Sequence, residues 1–314
     1  MEDDEERMNE MLSVEDLAVI KEVGKASADA MLYAANLVKP GAKLLEVAES
    51  AERFLKERGF GLAFPINLSV NAEAAHYTPT FADERTFSDK DIVKVDFGAE
   101  KNGLLGDGAI TVDLSGERGK MIEVADTALD NAIATVRHGV SVCDIGKAIA
   151  DTIEAAGYLP IKNLGGHGVG RHDLHAEFFI PNYDNGDFTT LEEGMVIAIE
   201  PFLTLPSGKG MIVESDICEI YSYAGEVNVR SPEARALLAE ILKSYSTEPF
   251  AVRWLSNLVN SKFRLYAAIA ELFRAGALEA SPTLIEASGK EVSQAEAQLL
   301  VTKDGCEIIT RAKM

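Results

Sequence analysis

The stretch Ile92 to Leu114, IVKVDFGAEKNGLLGDGAITVDL, decides how the fold is read. Ile92 to Phe97 is an apolar run of strand character, and Ala109 to Leu114 reads as the strand that returns beside it. Asn102-Gly103 between them is a two-residue hairpin signal. Two carboxylates interrupt the apolar pattern. Asp96 closes the first run, and Asp107 lies across the turn, where a hairpin sets the two side by side. A lone carboxylate in a core is costly unless it is paired or bound to a cation.

The flanking sequence supplies helices. Ser13 with Asp16 three residues on is a capping box. A helical pattern runs from there to about Val38, where Pro40-Gly41 stops it. A second covers about Leu44 to Arg58 and stops at Gly59, and a strand run follows at Ile66 to Val70. The pattern then begins again. A helix is expected over about Met121 to Val136, Arg137-His138-Gly139 replaces Lys39-Pro40-Gly41, and a helix over about Val142 to Ala156 replaces Leu44 to Arg58. The offset of these helical elements is 98 residues. Val196-Ile197-Ala198-Ile199-Glu200 echoes Ile92-Val93-Lys94-Val95-Asp96, each an apolar strand ending in a carboxylate. Leu205 to Gly208 reads as the second turn and Met211 to Ile220 as the second return strand. Such a duplication predicts two halves about a pseudo-two-fold axis, with a site between them.

The character changes between about Val227 and Ala280. Ser231-Pro232 starts a helix, and helical patterns follow at about Pro232 to Ser246, Ala251 to Val259 and Lys262 to Arg274, with Gly276 as a stop. Strand-like runs return at Glu296 to Lys303 and Glu307 to Thr310, joined at Asp304-Gly305. These strands are expected to complete the sheet begun before the helices. The chain accordingly divides into a main domain of residues 1–226 and 281–314 and a helical insertion of residues 227–280.

Composition narrows the function. A hydrophobic content of 47% supports a full core, and a net charge of −21 argues against nucleic acid or an anionic membrane as partner. The acidic start, Met1 to Arg7, lacks the basic start and apolar run of a secretory leader, so none is expected, and no apolar run is long enough to span a membrane. Cys143, Cys218 and Cys306 are too few and too scattered for a disulfide framework and read as reduced thiols. A cytoplasmic protein is expected, monomeric in the absence of a coiled-coil pattern or a large apolar patch.

Four carboxylates now need one explanation: Asp96, Asp107, Glu200 and Glu296, all set in apolar strands. Divalent cations supply it. His167, within Gly165-Gly166-His167-Gly168, adds an imidazole to which glycines give access. One imidazole and four carboxylates suit two ions of Co, Mn, Fe or Zn, with two of the carboxylates bridging. Ions about 3.5–4 Å apart activate a water and polarise a carbonyl. His76 and His175, 99 residues apart, face such a site from its two halves. Either can position a substrate carbonyl or pass a proton to a leaving amine. His138 and His172 read as structural.

Five segments carry a resemblance to a known family: Asn67 to Pro79 (NLSVNAEAAHYTP), Val95 to Leu114, Asn163 to Tyr183 (NLGGHGVGRHDLHAEFFIPNY), Ile197 to Phe202 (IAIEPF) and Ser293 to Val301 (SQAEAQLLV). Together the chain resembles the type II, archaeal and eukaryotic, methionine aminopeptidases. The resemblance implies an α/β pita-bread fold with a helical insertion, which accounts for the 96 residues from Glu200 to Glu296. It implies removal of the initiator methionine from nascent polypeptides whose second residue is small. On that reading Asp96 chelates one ion, His167 and Glu200 hold the other, and Asp107 and Glu296 bridge. His175 is similar to the residue contacting the scissile carbonyl or amide. His76 resembles the substrate-binding histidine that fumagillin-type epoxides alkylate. Phe64, Leu174 and Phe202 match positions lining the methionine pocket, where a thioether suits aromatic and aliphatic walls. Gly108, Ser281 and Ala297 depart from the residues more usual at their positions.

Two other readings stand beside this one. An Xaa-Pro aminopeptidase or prolidase shares the fold, but carries a sizeable domain before its first Asp, and only 95 residues precede Asp96. A non-catalytic pita-bread binding protein would be expected to have lost ligands, and all five are present.

Overall fold

A computed structural model describes residues 12–314, so the acidic start lies outside the described residues. Ser13 caps helix α1 (Val14–Leu37) as its sequence requires: the Asp16 N–H donates to Ser13 Oγ at 3.1 Å, and the Asp16 carboxylate accepts from Ser13 in return. Helix α2 (Leu44–Lys56) buries Leu44, Val47, Ala48, Ala51 and Leu55 along one face, the spacing of an amphipathic helix. Helices α3 (Gly119–Thr135) and α4 (Val142–Ala155) repeat this pair.

The repeat extends to individual hydrogen bonds. Gly41 N–H donates to Phe87 O at 2.8 Å, and Gly139 N–H donates to Leu191 O at the same distance. Leu44 N–H donates to Arg85 O at 3.0 Å, and Val142 N–H to Thr189 O at 2.9 Å. Each half has its own apolar core. One gathers Met31, Leu55, Leu68, Val93 and Phe97, and the other Ile145, Ile149, Ile197, Leu203 and Leu299.

In the first half, strand Ile92–Asp96 lies between Asn67–Val70 and Ala109–Asp113, all antiparallel. The hairpin is closed by Ala99–Lys101 and Leu104–Leu105, with Lys101 opposite Leu104. Asn102 and Gly103 both adopt positive φ, 58° and 78°, the type I′ geometry that matches strand twist.

The second half departs from expectation. The partner of Val196–Ile199 is not the segment Met211 to Ile220 but Ala297–Val301, with Ile199 opposite Ala297. A five-stranded sheet results, in the order Asp173–Pro181, Gly165–Gly170, Val196–Ile199, Ala297–Val301, Cys306–Arg311. Ile212–Glu214 pairs instead with Leu284–Glu286, and Ile220–Tyr223 with Leu278–Ser281. The apolar residues of the displaced segment explain the misreading: Met211, Val213 and Ile217 are exposed, so their pattern marks no core strand. Glu296 N–H donates to Ala109 O at 3.0 Å and ties the two halves' sheets together.

Helices α5 (Pro232–Ser244) and α6 (Lys262–Ala275) share a third core of Leu237, Ile241, Phe250, Leu255, Leu265 and Leu272. Ser231 caps α5, and Gly276 ends α6 in the left-handed conformation. The expected helix at Ala251 to Val259 is a seven-residue 3-10 helix, Val252–Leu258.

Candidate metal centre

Asp96 ends its strand, and Asp107 follows the turn just before Ala109, its partner across the ladder. Phe97 N–H donates to Gly108 O at 3.0 Å, so the ladder continues up to Asp107. Glu200 and Glu296 flank the ends of Val196–Ile199 and Ala297–Val301, where the register sets them directly opposite one another, whereas Asp107 lies two positions from the partner of Asp96. His167 comes from a third strand, opposite Ala198. Gly166 beside it permits that close pairing: a Cβ there would meet Ala198 O at 2.1 Å.

These strands converge. Ligand atoms of Asp107, His167 and Glu296 lie within 4.8 Å of one another, and all three residues are buried. His167 Nε2 is 3.5 Å from Asp107 Oδ2 and 3.9 Å from Glu200 Oε1. Burial raises the pKa of Asp107, Glu200 and Glu296 well above the ordinary carboxylate range, and the charge of Asp96 adds to all three. Burial pushes Asp96 itself up to about 7.

The donor set fits divalent cations. Gly168 O can only accept, so the 3.0 Å contact from His167 Nδ1 places the ring proton there. That leaves the Nε2 lone pair facing two carboxylate oxygens, an arrangement of acceptors that a cation between them resolves. Burial first, then the neighbouring His175 ring, lowers the His167 pKa to about 3, so the ring is a neutral donor. Among the described residues no lysine or arginine lies within 4 Å of the four carboxylates, and Asp96 Oδ1 is buried without a partner.

The two other histidines flank this cluster. The His175 ring meets His167 edge-on at 4.5 Å between centroids and faces solvent. His76 follows strand Glu73–Ala75 with φ at +63°, and its Nδ1 is buried without a partner. Burial first, then His175, lowers the His76 pKa to about 4. Phe64 and Leu174 pack together with Ala63, Leu105 and Val169. Phe202 belongs to a separate cluster with Ala74, Ala75 and Leu284, under the strand that carries His76. His172 pairs with Glu248 at 2.8 Å, and His138 Nδ1 accepts from Glu193 N–H at 3.3 Å, the structural roles expected of both.

Sequence reasoning missed two glutamines. Gln294 Nε2 donates to Glu200 Oε2 at 3.2 Å and approaches Glu296 Oε2 at 3.5 Å. Gln298 Oε1 accepts from Asp107 N–H at 3.3 Å, while its Nε2 donates to Leu105 O at 2.8 Å. The signal was period-two alternation: Gln294, Glu296 and Gln298 share one strand face, and each is at most 2% exposed. The departure at Gly108 also has a cause. A Cβ there would lie 2.9 Å from the Met31 methyl and 3.0 Å from Thr310 Cγ2, which already fill the space of a larger side chain.

Comparison with known proteins places the chain in a family. Residues 18–221 match the metallopeptidase family M24. A methionine aminopeptidase of Archaeoglobus fulgidus is 46% identical over 290 residues, covering 92% of this chain and 97% of that protein. The crystal structure of a methionine aminopeptidase from Thermotoga maritima superposes with a TM-score of 0.69 at 26% identity, over 96% of this chain and 98% of that one. A thermophilic Arx1 superposes with a TM-score of 0.83 over 96% of this chain and 92% of that one; at 16% identity it speaks to the fold alone. With its paired strand-end carboxylates, mixed α/β halves and close relatives, this chain belongs to metallopeptidase family M24, the pita-bread peptidases.

Proposed function

We propose that this protein removes the N-terminal methionine from polypeptides whose second residue is small, by hydrolysing the first peptide bond. It is an aminopeptidase of a metallopeptidase family, and its relatives are named methionine aminopeptidases. The observation that carries the specific reading is the cluster of buried Asp107, His167 and Glu296 ligand atoms within 4.8 Å of one another, with Glu200 beside it and an apolar group around Phe64 and Leu174.

Asp96, Asp107, His167, Glu200 and Glu296 would hold the metal, two ions of Co, Mn, Fe or Zn. Bound there, divalent ions supply Lewis acidity that polarises the scissile carbonyl and makes water more acidic. Gln294 and Gln298 hold the carboxylates of Glu200 and the backbone of Asp107 in place. His76 and His175 both have lowered pKa values, so their rings are neutral at pH 7 and can each offer an N–H and a lone pair. We assign them to binding the substrate amide and moving a proton to the leaving amine. Phe64, Leu174 and Phe202 supply apolar walls for the methionine side chain. We read residues 227–280 as an inserted subdomain. Among the described residues no helix is long and apolar enough to cross a membrane. A cytoplasmic monomer acting on nascent chains is part of the proposal.

The test is release of free methionine from Met-Ala-Ser and Met-Lys peptides, after chelation and again after Co²⁺ or Mn²⁺ is added back. Cleavage of the first peptide alone, lost and regained with metal, is expected. Cleavage of Xaa-Pro peptides in its place would move the chain to the prolidase reading.

A further inference from the structure

The segment that leaves His76 runs out of the metal centre and ends inside the helical insertion. Thr78 is 1% exposed, and its hydroxyl accepts from Arg253 Nη1 at 2.6 Å. Pro79 O accepts from the same nitrogen at 3.1 Å. Thr80 Oγ1 lies 3.3 Å from the Tyr266 hydroxyl on α6, and Phe81 packs in the insertion's own core. Every residue from 78 to 81 is therefore held by the insertion.

Arg253 is itself fixed from behind. Its Nη2 donates to the buried Glu52 carboxylate on α2, and Trp254 Nε1 donates to the other Glu52 oxygen at 3.0 Å. A planar guanidinium bound on two edges sets the distance between its partners, which a flexible ammonium does not. His76 needs such support. A non-glycine residue at φ +63° is strained, and such conformations persist only where the surroundings over-determine them.

We propose that Arg253 is a positioning residue for His76: through Thr78 and Pro79 it transmits the fixed position of Glu52 to the histidine at the site, so that the insertion is a working part of the active centre. The inference rests on the reading that His76 contacts substrate.

The experiment uses the full-length, Mn²⁺-loaded protein and the variants Arg253→Lys, Thr78→Val and His76→Ala, singly and with His76→Ala combined with each of the others. Arg253→Lys keeps the charge beside Glu52 and loses the fork. Thr78→Val keeps the shape, leaves the Arg253–Glu52 pair intact, and carries the test if the lysine variant does not fold. Melting temperature, Mn²⁺ affinity, kcat and KM on Met-Ala-Ser are measured. Displacing a reacting group by about 1 Å costs up to about 100-fold. Arg253→Lys should lower kcat by about 10- to 100-fold and Thr78→Val by less, with Mn²⁺ affinity unchanged. Neither should lower it further once His76 is alanine. Losses that add to that of His76→Ala, or wild-type kcat in both single variants, would overturn the proposal while leaving the role of His76 standing. Full activity of His76→Ala would overturn the reading of His76 and the proposal with it.

Discussion

The two halves build the same strand-end carboxylate pair in different ways. In the first, Asp96 and Asp107 sit on one hairpin, closed by Asn102-Gly103. In the second, Glu200 and Glu296 flank two antiparallel strands that pair with each other, but 95 residues of chain, including α5 and α6, run between them. The difference teaches that the carboxylate cluster depends on the pairing and not on the connection. One half is local and is read from a turn signal. The other is assembled by a long-range contact that a helical unit with its own core can interrupt without disturbing it.

The sharpest way to break the equivalence is to remove one carboxylate from each half. Asp107→Ala and Glu296→Ala should each lower kcat/KM by more than about 1,000-fold, equivalent to ~4 kcal/mol. Near wild-type methionine release in either variant would show that the halves do not contribute alike. The connection can be probed through the cores beside the ligands. Leu299→Ala and Ile110→Ala should each destabilise by about 2–5 kcal/mol, with Leu299, fully buried, at the upper end. In refolding kinetics Ile110→Ala should slow folding, whereas Leu299→Ala should mainly speed unfolding, because non-local strands pair late. The reverse pattern would mean that the interrupted half nucleates the fold.

Gln294→Leu and Gln298→Leu test the supports peculiar to the second half's strand. Each should weaken Mn²⁺ binding by about 10- to 100-fold by calorimetry, with the melting temperature of the metal-free protein nearly unchanged. Unaltered affinity would remove both glutamines from the site. Titration offers a further comparison. Asp96 has its pKa raised from the ordinary 3.8 to about 7, so the folded metal-free protein holds a proton that the unfolded chain releases. That contribution is fully present below about pH 4 and is lost as pH rises toward about 7. Metal needs the deprotonated ligands, so the gain in melting temperature on adding Mn²⁺ should grow across the same range. A gain independent of pH would mean that the carboxylates are ionised without metal. The smallest effect is expected at the local turn. Gly103→Ala should cost about 1 kcal/mol, since φ is +78° there and a Cβ would meet the His172 ring at 2.3 Å. No loss would show that the turn does not hold the first hairpin.

The same contrast explains what could be read from the residues. Ser13 with Asp16, Asn102-Gly103 and the glycines at 41, 59, 139 and 157 act through neighbours in sequence, so their effects were legible. The four proposed carboxylate ligands stood out because a carboxylate at the end of an apolar strand is an anomaly wherever that strand pairs, and His167 because glycines surround it. The pairing itself was not. Met211 to Ile220 has an apolar pattern and follows a turn at the right place, yet Ala297–Val301 takes the position beside Val196–Ile199. Periodicity reports that a residue faces something apolar, not which strand lies next to it. Gln294 and Gln298 passed unnoticed because amides carry no charge to mark them as misplaced. The 3-10 form of Val252–Leu258 has its Arg253 and Trp254 side chains turned to Glu52, about 200 residues away in sequence and outside any local pattern.

The central claim is that carboxylates from both halves and His167 make one metal centre that drives methionine release. Calorimetric titration of the chelated protein with Mn²⁺, with methionine release from Met-Ala-Ser followed at each addition, tests it most directly. The account predicts binding that saturates at two ions per chain, with activity rising alongside, and both lost together in Glu296→Ala. Full activity in the chelated protein, or in Glu296→Ala without bound metal, would contradict it.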